Sequence, residues 1–128
     1  DGASAYSEPQ IAALLVLLEN ICTRLDIPRR QVIGHADLAP ARKTDPGANF
    51  PWSRLAAAGF GRWPDPVATQ APLPPGFDGW IALQLLGYAM KDPQAALGAF
   101  RVHVRGVGDA TSAMQEADLR VLHGLLAE

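Results

Sequence analysis

The sequence predicts an α/β segment followed by a small all-α unit of three helices. Three observations carry this. An apolar helical pattern near the start is followed by a short run, Gln31-Val32-Ile33-Gly34, that reads as a buried strand. A proline-rich stretch then interrupts the pattern, and beyond it come three further apolar runs, each with a capping signal. The predicted boundaries are 1–62 for the α/β part, 63–76 for a semi-rigid linker and 77–128 for the helical unit.

The first helix opens at Ser7-Glu8-Pro9-Gln10, where Ser7 caps, Gln10 completes a capping box and Pro9 is tolerated in the first turn. Ile11, Leu14, Leu15, Leu18, Ile21, Cys22 and Leu25 give it one apolar face. It should end near Asp26, because Pro28 disfavours helical geometry at Ile27. Val32 and Ile33, both apolar, predict a strand covered on both faces. A turn-rich loop follows, and Phe50–Leu55 starts a short helix closing near Gly59. After Pro64, Pro66, Pro72, Pro74 and Pro75, Asp78 caps a helix ending near Gly87. Asp92-Pro93 opens a second, through Ala96, Leu97, Phe100 and Val102. Asp109 is positioned to cap a third, through Met114, Leu119, Val121, Leu122 and Leu125.

Composition narrows the function. Apolar residues form 48% of the 128 and charged residues 19%, a globular balance. The net charge of −2 lacks the basic excess that phosphate binding needs, so nucleic acid is not an expected partner. The longest apolar run, Ile11–Leu18, falls short of the roughly 20 residues of a membrane span. The lone Cys22 sits inside the first helical pattern and reads as a buried structural thiol.

The chemistry concentrates in "GHADLAPARKTDPG", Gly34–Gly47. His35 immediately follows the predicted strand, a position where a rigid scaffold meets a variable loop. Pro46 pushes Asp45 toward extended backbone, so Lys43 and Asp45 should face a common side. A loop stiffened by Pro40 and Pro46 can fold back and bring Asp45 against His35. Imidazole and carboxylate are zinc ligands, and a catalytic zinc ordinarily takes three from the protein. A lysine beside them cannot ligate while protonated but can stabilise a developing oxyanion. A hydrogen-bonded structural histidine and an ordinary Asp-Pro-Gly turn account for the same letters without a metal. Asp37 reads as a loop brace, since aspartate commonly bonds nearby backbone N–H groups.

The longer stretch "GHADLAPARKTDPGANFPW" closely resembles the C-terminal zinc motif of the type 2 N-acetylmuramoyl-L-alanine amidases, the AmpD/AmiD group. Gly34, His35, Asp37, Ala39, Pro40, Arg42, Lys43, Asp45, Pro46, Gly47, Phe50 and Trp52 match its pattern; Leu38 replaces isoleucine and Ala41 replaces glycine. The region after Phe77, with "LLGYAM", "AFRVHVRG" and Asp109–Thr111, is similar to the three-helix peptidoglycan-binding domain of the AmiD branch. The resemblance implies a mixed-sheet zinc amidase domain, of which this chain holds the C-terminal part. It implies His35 and Asp45 as two of three zinc ligands and Lys43 as the oxyanion stabiliser. The reaction implied is hydrolysis of the lactyl–L-alanine amide of peptidoglycan or muropeptides, in the bacterial periplasm or at the inner face of the outer membrane.

The family's other zinc histidine and its glutamate belong to earlier strands, so both are expected upstream of Asp1. A chain opening at Asp1 without methionine reads as a processed or trimmed product, with an N-terminal amidase fragment as a possible second chain. The 128 residues alone are then expected neither to hydrolyse peptidoglycan nor to hold zinc tightly. The alternative is a non-catalytic peptidoglycan-binding module that keeps the loop as a relic. His103 and His123 have no metal-like spacing to His35 and read as structural; Arg101, His103 and Arg105 are weak candidates for wall contacts.

Overall fold

A computed structural model describes residues 4–106 and 113–128. Among these residues six helices follow in chain order: α1 (Glu8–Arg24), α2 (His35–Leu38), α3 (Trp52–Ala57), α4 (Gly79–Leu85), α5 (Pro93–Arg105) and α6 (Glu116–Leu126). Two 3-10 turns, Arg29–Gln31 and Ala68–Gln70, stand between them. Among the described residues no helix is long and apolar enough to cross a membrane.

The expected α/β class is overturned. Among the described residues there is no strand; every regular element is a helix or a 3-10 turn. Gln31 closes a 3-10 turn started by Pro28, and the Val32 N–H donates within that turn to the Arg29 carbonyl at 3.3 Å. Val32 and Gly34 do have extended dihedrals. An extended segment becomes a strand only when a neighbouring backbone takes its N–H and C=O groups, and here the amide has found a local acceptor. Ile33, expected in a core, is 52% exposed.

The capping signals translate well. The Ser7 hydroxyl accepts from the Gln10 N–H while the Gln10 side chain accepts from the Ser7 N–H, the reciprocal capping box. Asp78 accepts from the N–H groups of Trp80 and Ile81, and Asp92 from that of Ala95. Gly106 ends α5 in the left-handed conformation, φ 64°. Asp109 and the Asp109–Thr111 stretch lie outside the described residues; α6 opens later, at Gln115, whose N–H donates to the Asp118 carboxylate.

Two apolar clusters form the interior. In the first, Cys22, Trp52, Leu55 and Phe60 are buried, with Leu14, Leu15, Leu18, Val32 and Trp63 packed against them. The second unites α4, α5 and α6 through Leu83, Leu97, Phe100 and Leu122, all fully buried. Each such side chain contributes roughly 1.5–3 kcal/mol by leaving water. Val16 and Leu17 on α1 stay exposed, with Ile33 and Leu38 after it. The proline-rich segment lies against α6: Thr69 and Ala68 crowd Gly124, and Arg120 donates to the Ala71 carbonyl.

A charged group is buried beside the second cluster. Asp118 is fully buried and accepts from Arg101 through Nη2 at 2.7 Å and Nε at 3.2 Å. Arg105 Nη1 adds a bond at 2.7 Å and the Gln115 N–H one at 2.9 Å. Arg101 is itself buried and reaches the Ala113 carbonyl at 2.6 Å. Arg101 and His103 are therefore buried and Arg105 is half-buried, so these three side chains are held inside the chain by carboxylates instead of forming a solvated face.

Candidate metal site and its support

The loop Leu38–Gly47 returns on itself as its prolines suggest. His35 opens α2, and the Ala36 N–H behind it donates to the Asp45 carbonyl at 2.8 Å. That bond ties the far end of the loop to the turn carrying the histidine. Ring Nδ1 of His35 then lies 3.3 Å from Oδ2 of Asp45. Both side chains are open to solvent, at 46% and 62% exposure. The two residues singled out in the sequence are thus brought together. Lys43 closes a turn by donating its N–H to the Ala39 carbonyl; its side chain is exposed and forms no ion pair among the described residues.

The donor set suits zinc as far as it goes. An imidazole nitrogen and a carboxylate oxygen, each about 2.0–2.2 Å from one tetrahedral ion, stand roughly 3.3–3.6 Å apart. The observed separation is of that size. Among the described residues no third histidine, cysteine, aspartate or glutamate joins the pair.

The apolar packing beneath the loop fixes its position. Tyr6 donates its hydroxyl to the Pro46 carbonyl at 3.1 Å and meets Phe50 edge-on, with ring centres 5.4 Å apart. Phe50 meets Trp52 at 4.7 Å, and Trp52 stacks on His103 at 3.8 Å with the rings 15° from parallel. Gly34 leaves the space this packing needs, since a Cβ there would come within 2.8 Å of Pro46 Cδ.

Asp37 is the brace the sequence suggested, with more partners than expected. Its Oδ2 accepts from the Gly34 N–H at 2.8 Å and from His103 Nδ1 at 2.7 Å, and its Oδ1 accepts from the Tyr88 hydroxyl at 2.7 Å. A carboxylate only accepts, so Nδ1 of His103 carries the proton. Burial above all, with the nearby Asp37 charge and hydrogen bond, holds the Tyr88 phenol well above its ordinary pKa, so it remains a donor. Sequence reasoning missed Tyr88 and placed His103 as structural without naming its partner. The two lie 51 and 66 residues from Asp37, and local pattern carries no signal over such separations. His123 meets Phe77 edge-on at 5.3 Å, a packing role.

The family description N-acetylmuramoyl-L-alanine amidase matches residues 1–48. The N-acetylmuramoyl-L-alanine amidase AmiD of Escherichia coli is 38% identical over 88% of this chain and 48% of its own length. The chain belongs to the AmpD/AmiD-type amidase family. It spans about half the length of that curated relative. The solved complex of E. coli AmiD with anhydro-N-acetylmuramic acid-L-Ala-D-gamma-Glu-L-Lys is 33% identical, with a TM-score of 0.78 over 96% of this chain and 53% of the other. AmpDh3 of Pseudomonas aeruginosa, in complex with anhydromuramic pentapeptide, is 32% identical, with a TM-score of 0.81 over 97% and 54%. Both similarities run through the C-terminal helices as well as the loop.

Proposed function

We propose that this chain supplies part of a zinc-dependent N-acetylmuramoyl-L-alanine amidase acting on the lactyl–L-alanine amide of peptidoglycan or muropeptides. The observation that carries the proposal is the meeting of His35 and Asp45 at 3.3 Å across a ten-residue excursion, in a chain of this family. Related proteins are named as amidases, and two have been solved with muropeptides bound. His35 and Asp45 would hold the ion. Zinc supplies a Lewis acid and lowers the pKa of a bound water from 15.7 to about 7.

The chain's own groups do the rest of what can be assigned. Asp37 and the Tyr6–Phe50–Trp52 packing orient the ligand-bearing turn. Lys43, flexible and open to solvent, would place its ammonium by the amide oxygen as negative charge develops there. Two protein ligands are one short of the usual three, so this reading assigns the third, and the group that takes the water's proton, to protein outside these 128 residues. The substrate sets the compartment proposed: the bacterial periplasm or the inner face of the outer membrane.

Zinc titration of the 128-residue chain, followed by NMR at the His35 ring and the Asp45 carboxylate, tests this. Weak binding is expected, abolished by His35→Ala or Asp45→Ala and insensitive to Lys43→Met. Resonances of both residues that stay unmoved at millimolar zinc would defeat the metal reading and leave the non-catalytic binding module in its place. A submicromolar Kd for the chain alone would contradict the assignment of a ligand elsewhere.

A further inference from the structure

We infer that Tyr88 and His103, contributed by the C-terminal helical unit, are positioning residues for the His35–Asp45 site. The inference rests on the metal reading above and extends it to groups that touch neither ligand.

The geometry runs through Asp37. The aspartate sits in the same turn as His35, two residues on, and is buried. One of its donors is local, the Gly34 N–H. The other two are side chains from the far half of the chain: Tyr88, just after α4, and His103 on α5. Without them a buried carboxylate would keep one backbone bond and lose both side-chain partners, a costly state that the turn would relieve by rotating Asp37 toward water. Rotation of that turn moves His35, which opens it. It also strains the Ala36 N–H bond to the Asp45 carbonyl, so His35 and Asp45 shift together.

The ring of His103 serves a second purpose. While Nδ1 donates to Asp37, one face lies on Trp52, which is itself in the aromatic chain leading through Phe50 to Tyr6 and Pro46. The same imidazole thus fixes the beginning of the loop by a hydrogen bond and its end by stacking. Its Nε2 is buried and, among the described residues, has no hydrogen-bond partner. A histidine kept at that cost for packing alone would be better replaced by a phenylalanine, whereas only a ring nitrogen meets the carboxylate.

Three variants of the chain separate the contributions. His103→Phe keeps a ring on Trp52 and removes the donor; His103→Asn keeps a donor near Asp37 and removes the ring; Tyr88→Phe removes one hydroxyl. Amide hydrogen exchange at Gly34 and Ala36 should accelerate roughly tenfold in His103→Phe and Tyr88→Phe, with amides in the middle of α1 unchanged. His103→Asn should restore most of the protection at Gly34. In the same samples the zinc Kd read at His35 should weaken by roughly tenfold in the first two variants, as for other outer-shell supports of metal ligands. A residue serving stability alone would raise exchange throughout the chain and leave the Kd where it was. That pattern, or unchanged exchange at Gly34 and Ala36 in both donor-removing variants, overturns the inference. A wild-type chain that takes no zinc at His35 defeats the metal reading alone, and the exchange comparison then still decides whether the two side chains hold the turn.

Discussion

Replacing Asp118 with asparagine should destabilise the chain severely. The carboxylate is fully buried and receives bonds from Arg101, Arg105 and the Gln115 N–H. Asparagine has the same shape but no charge, and one of its two terminal atoms becomes a donor facing guanidinium donors. Arg101, itself 1% exposed, cannot follow its charge into water without dismantling the α5–α6 contact. Breaking a buried pair by removing one partner costs about 3–5 kcal/mol. Against a typical domain stability of about 5–15 kcal/mol, that is a Tm lower by roughly 10–20 °C. Thermal unfolding followed by circular dichroism measures it. The double variant Arg101→Met/Asp118→Leu should recover a large part of the loss, because neither charge is then stranded. An asparagine variant within about 1 kcal/mol of wild type, or a double variant as unstable as the sum of its singles, would refute the reasoning.

Two further outcomes follow from the same structure. Burial pushes the Asp118 pKa up, but the bonds from Arg101, the Gln115 N–H and Arg105 outweigh it and leave the folded-state pKa below the ordinary 3.8. The folded state therefore binds fewer protons than the unfolded state in acid, so the group's contribution is complete above about pH 4–5 and fades as pH falls through the folded pKa. The Tm gap between wild type and Asp118→Asn should narrow below about pH 4, and a gap that holds or widens in acid contradicts the sign. Gly34→Ala places a Cβ 2.8 Å from Pro46 Cδ, 3.1 Å from Asp37 Oδ2 and 3.3 Å from Trp52, although φ at −83° suits alanine. Steric overpacking should cost about 1–3 kcal/mol and part His35 from Asp45, read as a lower Tm with weakened zinc binding; a variant equal to wild type in both would show that the loop yields freely there.

What could be read in advance was what local physics decides. Ser7, Asp78 and Asp92 cap where they stand because a side-chain oxygen and an N–H two or three residues on settle the matter between themselves. Cys22 is buried, as its place in the apolar pattern indicated. The convergence of His35 and Asp45 was legible for a similar reason, since two prolines restrict the loop between them. The strand failed because pairing is not local: Val32 and Ile33 have the right side chains, but a ladder needs another backbone, and the Val32 amide closes a 3-10 turn instead. Arg101 was misplaced at the surface by its charge alone; its burial depends on Asp118, 17 positions further along the chain. Tyr88 was missed because nothing near it in sequence hints at a carboxylate partner in α2.

The stack of Trp52 on His103 sets a ring of the first cluster against α5, the helix that carries Leu97, Phe100 and Val104 of the second. Trp52 and His103 are both buried there, so losing α5 uncovers Trp52 and opening the first cluster uncovers one side of α5. Cooperativity thus crosses the proline-rich segment, and a scissor cut chosen from composition alone would sever a working joint and leave both halves with a wet flank.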